Sequence, residues 1–139
     1  DHKSQINILR DRHSENPLDR VQPVVTKDEL LNLIQEARNV EANDRIFDYV
    51  TTLAEATRTH PMVELGVSPR GALALCRMSK AHAFLAGRDY AVPEDVAAVF
   101  PDVCAHRLIL SAKARMMEEK AENILAEILK SVDMPVLKA

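Results

Sequence analysis

Glycine is scarce in this chain: three residues among 139, at positions 66, 71 and 87. A phosphate-cradling loop needs several glycines close together ahead of a Lys and a Ser or Thr. Neither GxxxxGK[ST] nor GxGxxG occurs. The sequence therefore carries no nucleotide cradle of its own. Basic excess is missing too: 18 Lys and Arg face 21 Asp and Glu, for a net charge of −3, which argues against a nucleic-acid surface. Tryptophan is absent, and β-branched residues rarely alternate with polar ones, so strand signals are poor. No run of roughly 18 apolar residues spans a bilayer, and the opening DHKSQINILR has no signal-peptide pattern. The expectation is a soluble, cytoplasmic protein without a transmembrane segment. Only two cysteines occur, Cys76 and Cys104, without CxxC spacing or clustered His partners. Both are expected to be reduced core residues, and no metal site is expected.

What remains is helix. Hydrophobic residues make up 47% of the chain, enough for a core. Residues 3–12 form a short amphipathic piece with Ile6 and Leu9 on one side, followed by HSENPLDRVQPVV. Pro17 and Pro23 mark that stretch as a linker. Thr26 and Glu29 form a capping box that opens a helix with Leu30, Ile34 and Ala37 on its inner side, ending near Asn39. Asn43 caps a longer helix with the stripe Ile46, Val50, Leu53 and Thr57, flanked by Phe47 and Ala54, fading at His60-Pro61. Ser68-Pro69 starts a third long helix running to about Ala86, where Gly87 is a stop. Pro93, Glu94 and Asp95 open a fourth, which Pro101 interrupts or bends. A last helix, roughly 113–132, carries Met117, Ala121, Ile124, Ile128 and Val132 on one face. The pattern predicts an all-α bundle of five or six helices around one core.

The segment GVSPRG, residues 66–71, places Arg70 in the first turn of the third helix. A cation there meets the positive end of the helix dipole, so something else should hold it. At about 100° per residue, Arg77 lies nearly above Arg70 and Lys80 within a quarter-turn. Two readings stand: a solvated basic stripe, or an anion site in which a phosphate or carboxylate from another domain or subunit sits at the helix N-terminus. His106 reads as a satisfied core or interface residue rather than a base. Asp89, Glu94 and Asp95 fit turn and capping chemistry better than metal binding.

From Gly66 to Leu110 the run SPR, GRDY, PEDV and HRL, in that order, closely resembles the C-terminal lid of MoxR-family AAA+ ATPases. The upstream pieces NPLDRVQPVVTKDELL and VTTLAEATRTHP are similar to the family's joining segment and earlier lid helices. The resemblance implies that residues 1–22 are the last helix of the AAA+ core with its linker, and residues 23–139 the helical lid. It implies that Arg70 is the sensor-2 arginine, which in such motors reaches from the lid to the γ-phosphate of ATP. Arg77 and Lys80 match less distinctive basic positions, read either as a solvated face or as contacts for phosphate or a neighbouring subunit. Arg58 matches a recurrent position, and two readings stand for it: a structural salt bridge, which is preferred, or a further phosphate or subunit-interface contact.

The resemblance further implies ATP and Mg²⁺ as cofactors of the complete ATPase, with none bound tightly by this chain. The implied partners are the core domain, neighbouring subunits of a homo-oligomeric ring, a hexamer in the family's manner, and a client protein. The implied activity is chaperone-like maturation of other complexes, including metal-cofactor insertion. Walker A lysine, Walker B acidic pair, sensor 1 and arginine finger have no counterpart here, so no complete catalytic set is expected and this chain alone is expected not to hydrolyse ATP. A stand-alone helical interaction module is the other reading. A histone-fold-like or DNA-binding domain fits the acidic balance poorly.

Overall fold

The computed structural model describes residues 1–11 and 16–136. Its described residues form seven α-helices: α1 (His2–Asp11), α2 (Lys27–Asn39), α3 (Asp44–Thr59), α4 (Pro69–Leu85), α5 (Pro93–Cys104), α6 (Ala112–Met116) and α7 (Ala121–Ser131). Two short strands, β1 (Val63–Leu65) and β2 (Ile109–Leu110), pair antiparallel. The all-α class stands. The sequence pattern missed the ladder because three residues facing two are too few to show alternation. Residue 12, the end of the expected first helical piece, and residues 13–15 of the expected linker lie outside the described residues, and Pro17–Arg20 form a 3₁₀ turn.

The chain divides into two compact units, Asp1–Leu33 and Ile34–Ala139. In the first, α1 buries no residue, and the capping box predicted at Thr26 forms: Glu29 accepts from the Thr26 N–H at 2.7 Å, and Thr26 Oγ1 from the Glu29 N–H at 3.2 Å. The inner side expected of α2 is not buried. Leu30 is exposed, Ile34 is 40% exposed and Ala37 half-buried. Periodicity identifies the face that is apolar; it does not supply a partner for it.

The second unit holds the core. Ile46 and Leu53 of α3, Leu75 of α4, Val96 and Phe100 of α5, and Ile124, Leu125 and Ile128 of α7 are all essentially inaccessible. Asn43 caps α3 as expected, its Oδ1 accepting from the Ile46 N–H at 3.2 Å. The face of α3 is rotated slightly from the expected one, since Tyr49 is buried and Phe47 is 47% exposed. Cys104 is buried and Cys76 only half-buried; both are free thiols. Burial pushes the Cys104 thiol up to about 11, although Arg107 pulls it down.

The last predicted helix is two. α6 stops at Met116, Glu118 takes φ 55°, and α7 resumes at Ala121, leaving Met117 exposed. Pro101 is absorbed inside α5, which gives way to a 3₁₀ turn at Ala105–Arg107. Pro101 has no N–H to donate to the Ala97 carbonyl four residues upstream, so α5 runs through it with one helical hydrogen bond fewer.

Candidate functional site

The start of α4 is built by its own sequence. Ser68 caps it, Oγ accepting from the Gly71 N–H at 3.3 Å, and Pro69 occupies the first helical position. Arg70 follows at the second, exposed, with no acidic residue in the first turn. The end of α3 clamps the approach. Thr57 Oγ1 is buried, accepts from the Val67 N–H at 2.8 Å and donates to Ala54 O at 2.6 Å. Arg58 donates Nε to Val67 O at 2.7 Å. Its polar partner among the described residues is thus backbone rather than the expected carboxylate. The chains approach so closely here that a Cβ on Gly66 would fall 2.6 Å from the Arg58 backbone nitrogen.

Arg70 and Arg77 line one shallow groove of about 620 Å³ with Leu73, Ala74, Met78, Ala81 and Arg107. Among the described residues no carboxylate lines it. Lys80, expected on the same face, instead lines the neighbouring groove, where its Nζ donates to Arg38 O at 2.5 Å and caps the C-terminal end of α2. Arg77 lines both grooves, one with Arg70 and one with Lys80, and the third cation of the first groove is Arg107. Nothing in helical spacing could have signalled it, because Arg107 comes from beyond α5.

Arg107 is held from two sides. Its Nε donates to Val103 O at 2.8 Å, and its Cδ runs past Gly71, where an added Cβ would approach to 3.3 Å. His106, expected as a satisfied core or interface residue, is exposed and lines a smaller cavity with Asp102 and Arg107.

The turn from α4 to α5 carries a dense polar cluster around Asp95. Gly87 takes φ 76°, the left-handed conformation that ends a helix, with the Gly87 N–H bonded to Phe84 O at 2.9 Å and the Arg88 N–H to Ala83 O at 3.0 Å. Arg88 then grips Asp95: Nη1 to Oδ2 at 2.7 Å and Nη2 to Oδ1 at 2.5 Å. Asp95 also accepts from the Val92 N–H at 2.8 Å and lies 2.7 Å from His82 Nδ1. Burial raises the Asp95 carboxyl, but hydrogen bonds from Arg88, Val92 and His82 outweigh it and hold the group at about 2. Asp95 thus caps a helix as expected, while Glu94 and Asp89 stay exposed. The cluster is saturated with donors and reads as a lock. Among the described residues no group of three or more His, Cys, Asp or Glu could hold a metal ion.

A family model described as "AAA lid domain" matches residues 55–128, more than half of the chain. The chain belongs to the AAA lid domain family. Its relatives make it a lid of the MoxR type. Protein YeaC of Bacillus subtilis (strain 168), itself uncharacterised, is 36% identical over 97% of this chain and 42% of its own length. Chaperone MoxR1 of Mycobacterium tuberculosis is 32% identical over 84% of this chain and 33% of its own. A crystal structure from Cytophaga hutchinsonii, provisionally assigned as an ATPase, superposes with a TM-score of 0.81 at 30% identity, covering 98% of this chain and 44% of that one. The lid chain thus spans less than half the length of these proteins. Among its described residues no helix is long and apolar enough to cross a membrane.

Within the lid, the motif residues divide by role. Arg88 of GRDY and Asp95 of PEDV bind each other, and Gly66 gives the backbone room, so these parts of the signature build the domain. Arg70 of SPR and Arg107 of HRL face a common groove.

Proposed function

We propose that this lid couples the nucleotide state of a MoxR-type AAA+ ATPase to movement of the lid, with Arg70 donating to the γ-phosphate of ATP held by the core. One observation carries the reading: Arg70 stands exposed at the second position of α4, in a groove with two further guanidinium groups and no carboxylate. A guanidinium stays charged and offers a planar fork of donors suited to phosphate oxygens. Its position beside the positive end of the helix dipole is unfavourable until an anion arrives, and favourable to the complex afterwards. Loss of the γ-phosphate removes the anion and releases the lid. Arg77 extends the same basic strip. Lys80 and Arg58 already bond backbone carbonyls, which favours structural roles for them.

In this reading residues 1–22 end the ATPase core and its linker, and residues 23–139 form the lid. ATP and Mg²⁺ bind chiefly to the core. Mg²⁺ supplies charge neutralisation at the β- and γ-phosphates; the lid's own residues supply cationic donors alone. The complete subunit works in a ring, with hexamers as the expected assembly, in the cytoplasm. It acts on client complexes in a chaperone-like way, including metal-cofactor insertion. The name of the Mycobacterium relative supports the chaperone part.

The test is ATP turnover by the complete subunit carrying this lid, wild type beside Arg70→Ala, with the lid alone as control. The lid alone should be silent. Arg70→Ala should lose on the order of tenfold in turnover, a transition-state contact of about 1.4 kcal/mol. Unchanged turnover and affinity would leave Arg70 a surface cation and favour an interaction module without nucleotide dependence.

A further inference from the structure

We infer that Arg107 is a second guanidinium contact to the nucleotide phosphate that Arg70 reads, held ready by Val103 and by the missing side chain of Gly71. The inference rests on the nucleotide reading of the groove.

Arg70 and Arg77 are seven residues apart, so their Cα atoms are separated by about 10 Å along the axis of α4. That is too far for both to serve one phosphate group from equivalent positions. Arg107 comes in from the side. Its Cδ passes Gly71, the residue next to Arg70, and its side chain lines the same groove. The two arginines that line the groove near the first turn of α4 are therefore Arg70 and Arg107.

Arg107 is also the better prepared of the two. A free arginine loses much rotamer freedom on binding. Arg107 has already lost part of it, because Nε is fixed on Val103 O at 2.8 Å and the side chain is half-buried. That bond uses one donor and leaves the two terminal nitrogens for an outside acceptor. Arg70, by contrast, is exposed. A fixed donor beside a mobile one suits a site that must distinguish a triphosphate from a diphosphate: the ligand has to bring Arg70 to a position that Arg107 already marks. Three guanidinium groups around one groove without a carboxylate also repel one another, and an anion relieves that repulsion.

Gly71 is part of the arrangement. A Cβ there would stand 2.7 Å from Val67 Cγ1 and 3.3 Å from Arg107 Cδ, so a side chain at 71 clashes first with Val67 and crowds Arg107 as well. The glycine after SPR and the arginine of HRL thus belong to one device.

The experiment measures the affinity of the complete subunit for ATP and for ADP, by titration calorimetry, in wild type, Arg70→Ala, Arg107→Ala and Arg107→Lys, with the thermal midpoint recorded for each. Arg107→Ala should weaken ATP on the order of tenfold while ADP changes less than about twofold, with the midpoint nearly unmoved. Arg107→Lys keeps a charge but cannot hold Val103 O and reach outward together, so it should also lower the ATP-to-ADP preference. It carries the test should the alanine variant fail to fold. An unchanged ATP-to-ADP ratio in the Arg107 variants, with Arg70→Ala altered, overturns the inference and leaves Arg107 a prop for the end of α5. Equal weakening of both nucleotides together with a lowered midpoint overturns it as well. No change in any variant removes the nucleotide reading itself, and this inference with it.

Discussion

Arg88 and Asp95 face each other across the turn between α4 and α5 with both guanidinium nitrogens on both carboxylate oxygens, and Asp95 is 1% exposed. The same carboxylate closes the first turn of α5 through the Val92 N–H. One side chain thus sets both where a helix begins and how it meets the helix before it. Asp95→Ala strands Arg88 and the Val92 amide together. Removing one partner of a buried, hydrogen-bonded pair typically costs about 3–5 kcal/mol. The expected result is a loss of that order in urea unfolding of the lid, with Glu94→Ala as an exposed control close to wild type.

Acid should unfold the lid through the same residue. The folded Asp95 carboxyl titrates at about 2, below its ordinary value of 3.8. Its contribution is therefore fully present above pH 4 and is lost as pH falls from about 4 towards 2, a loss of about 2 kcal/mol by linkage. Denaturant midpoints measured from pH 6 to pH 2 should fall within that window. In Asp95→Asn the part of the fall that belongs to this carboxyl should be missing.

Gly66→Ala tests the close approach of α3 to the segment before α4. The new Cβ would stand 2.6 Å from the Arg58 nitrogen and 2.7 Å from its Cα, both backbone atoms that cannot swing aside. Overpacking of this kind costs roughly 1–3 kcal/mol. Chemical denaturation should show that loss, and Arg58→Ala, which removes only a side chain and its bond to Val67 O, should show less.

How far the sequence could be read follows from the range of each signal. Ser68, Pro69, Asn43, Thr26 and Gly87 act within three or four residues of themselves, and each sits where local chemistry put it. Signals that need a partner did less well. The apolar side of α2 is real, but no residue of α2 is buried. The break at Glu118 was invisible, since its positive φ belongs to a residue with no special liking for it. Of the three-cation face, Arg70 and Arg77 share one groove and Arg77 and Lys80 the next, where the Lys80 Nζ bonds the carbonyl of Arg38. Arg107, 37 positions from Arg70, could be joined to it only by the folded chain.

The measurement that tests the central claim most directly is the structure of the complete subunit with a non-hydrolysable ATP analogue, read at Arg70. The account predicts an Arg70 guanidinium nitrogen within about 3 Å of a γ-phosphate oxygen, the spacing of a charge-assisted hydrogen bond. A guanidinium left in solvent, with the γ-phosphate satisfied entirely by other groups, would contradict it.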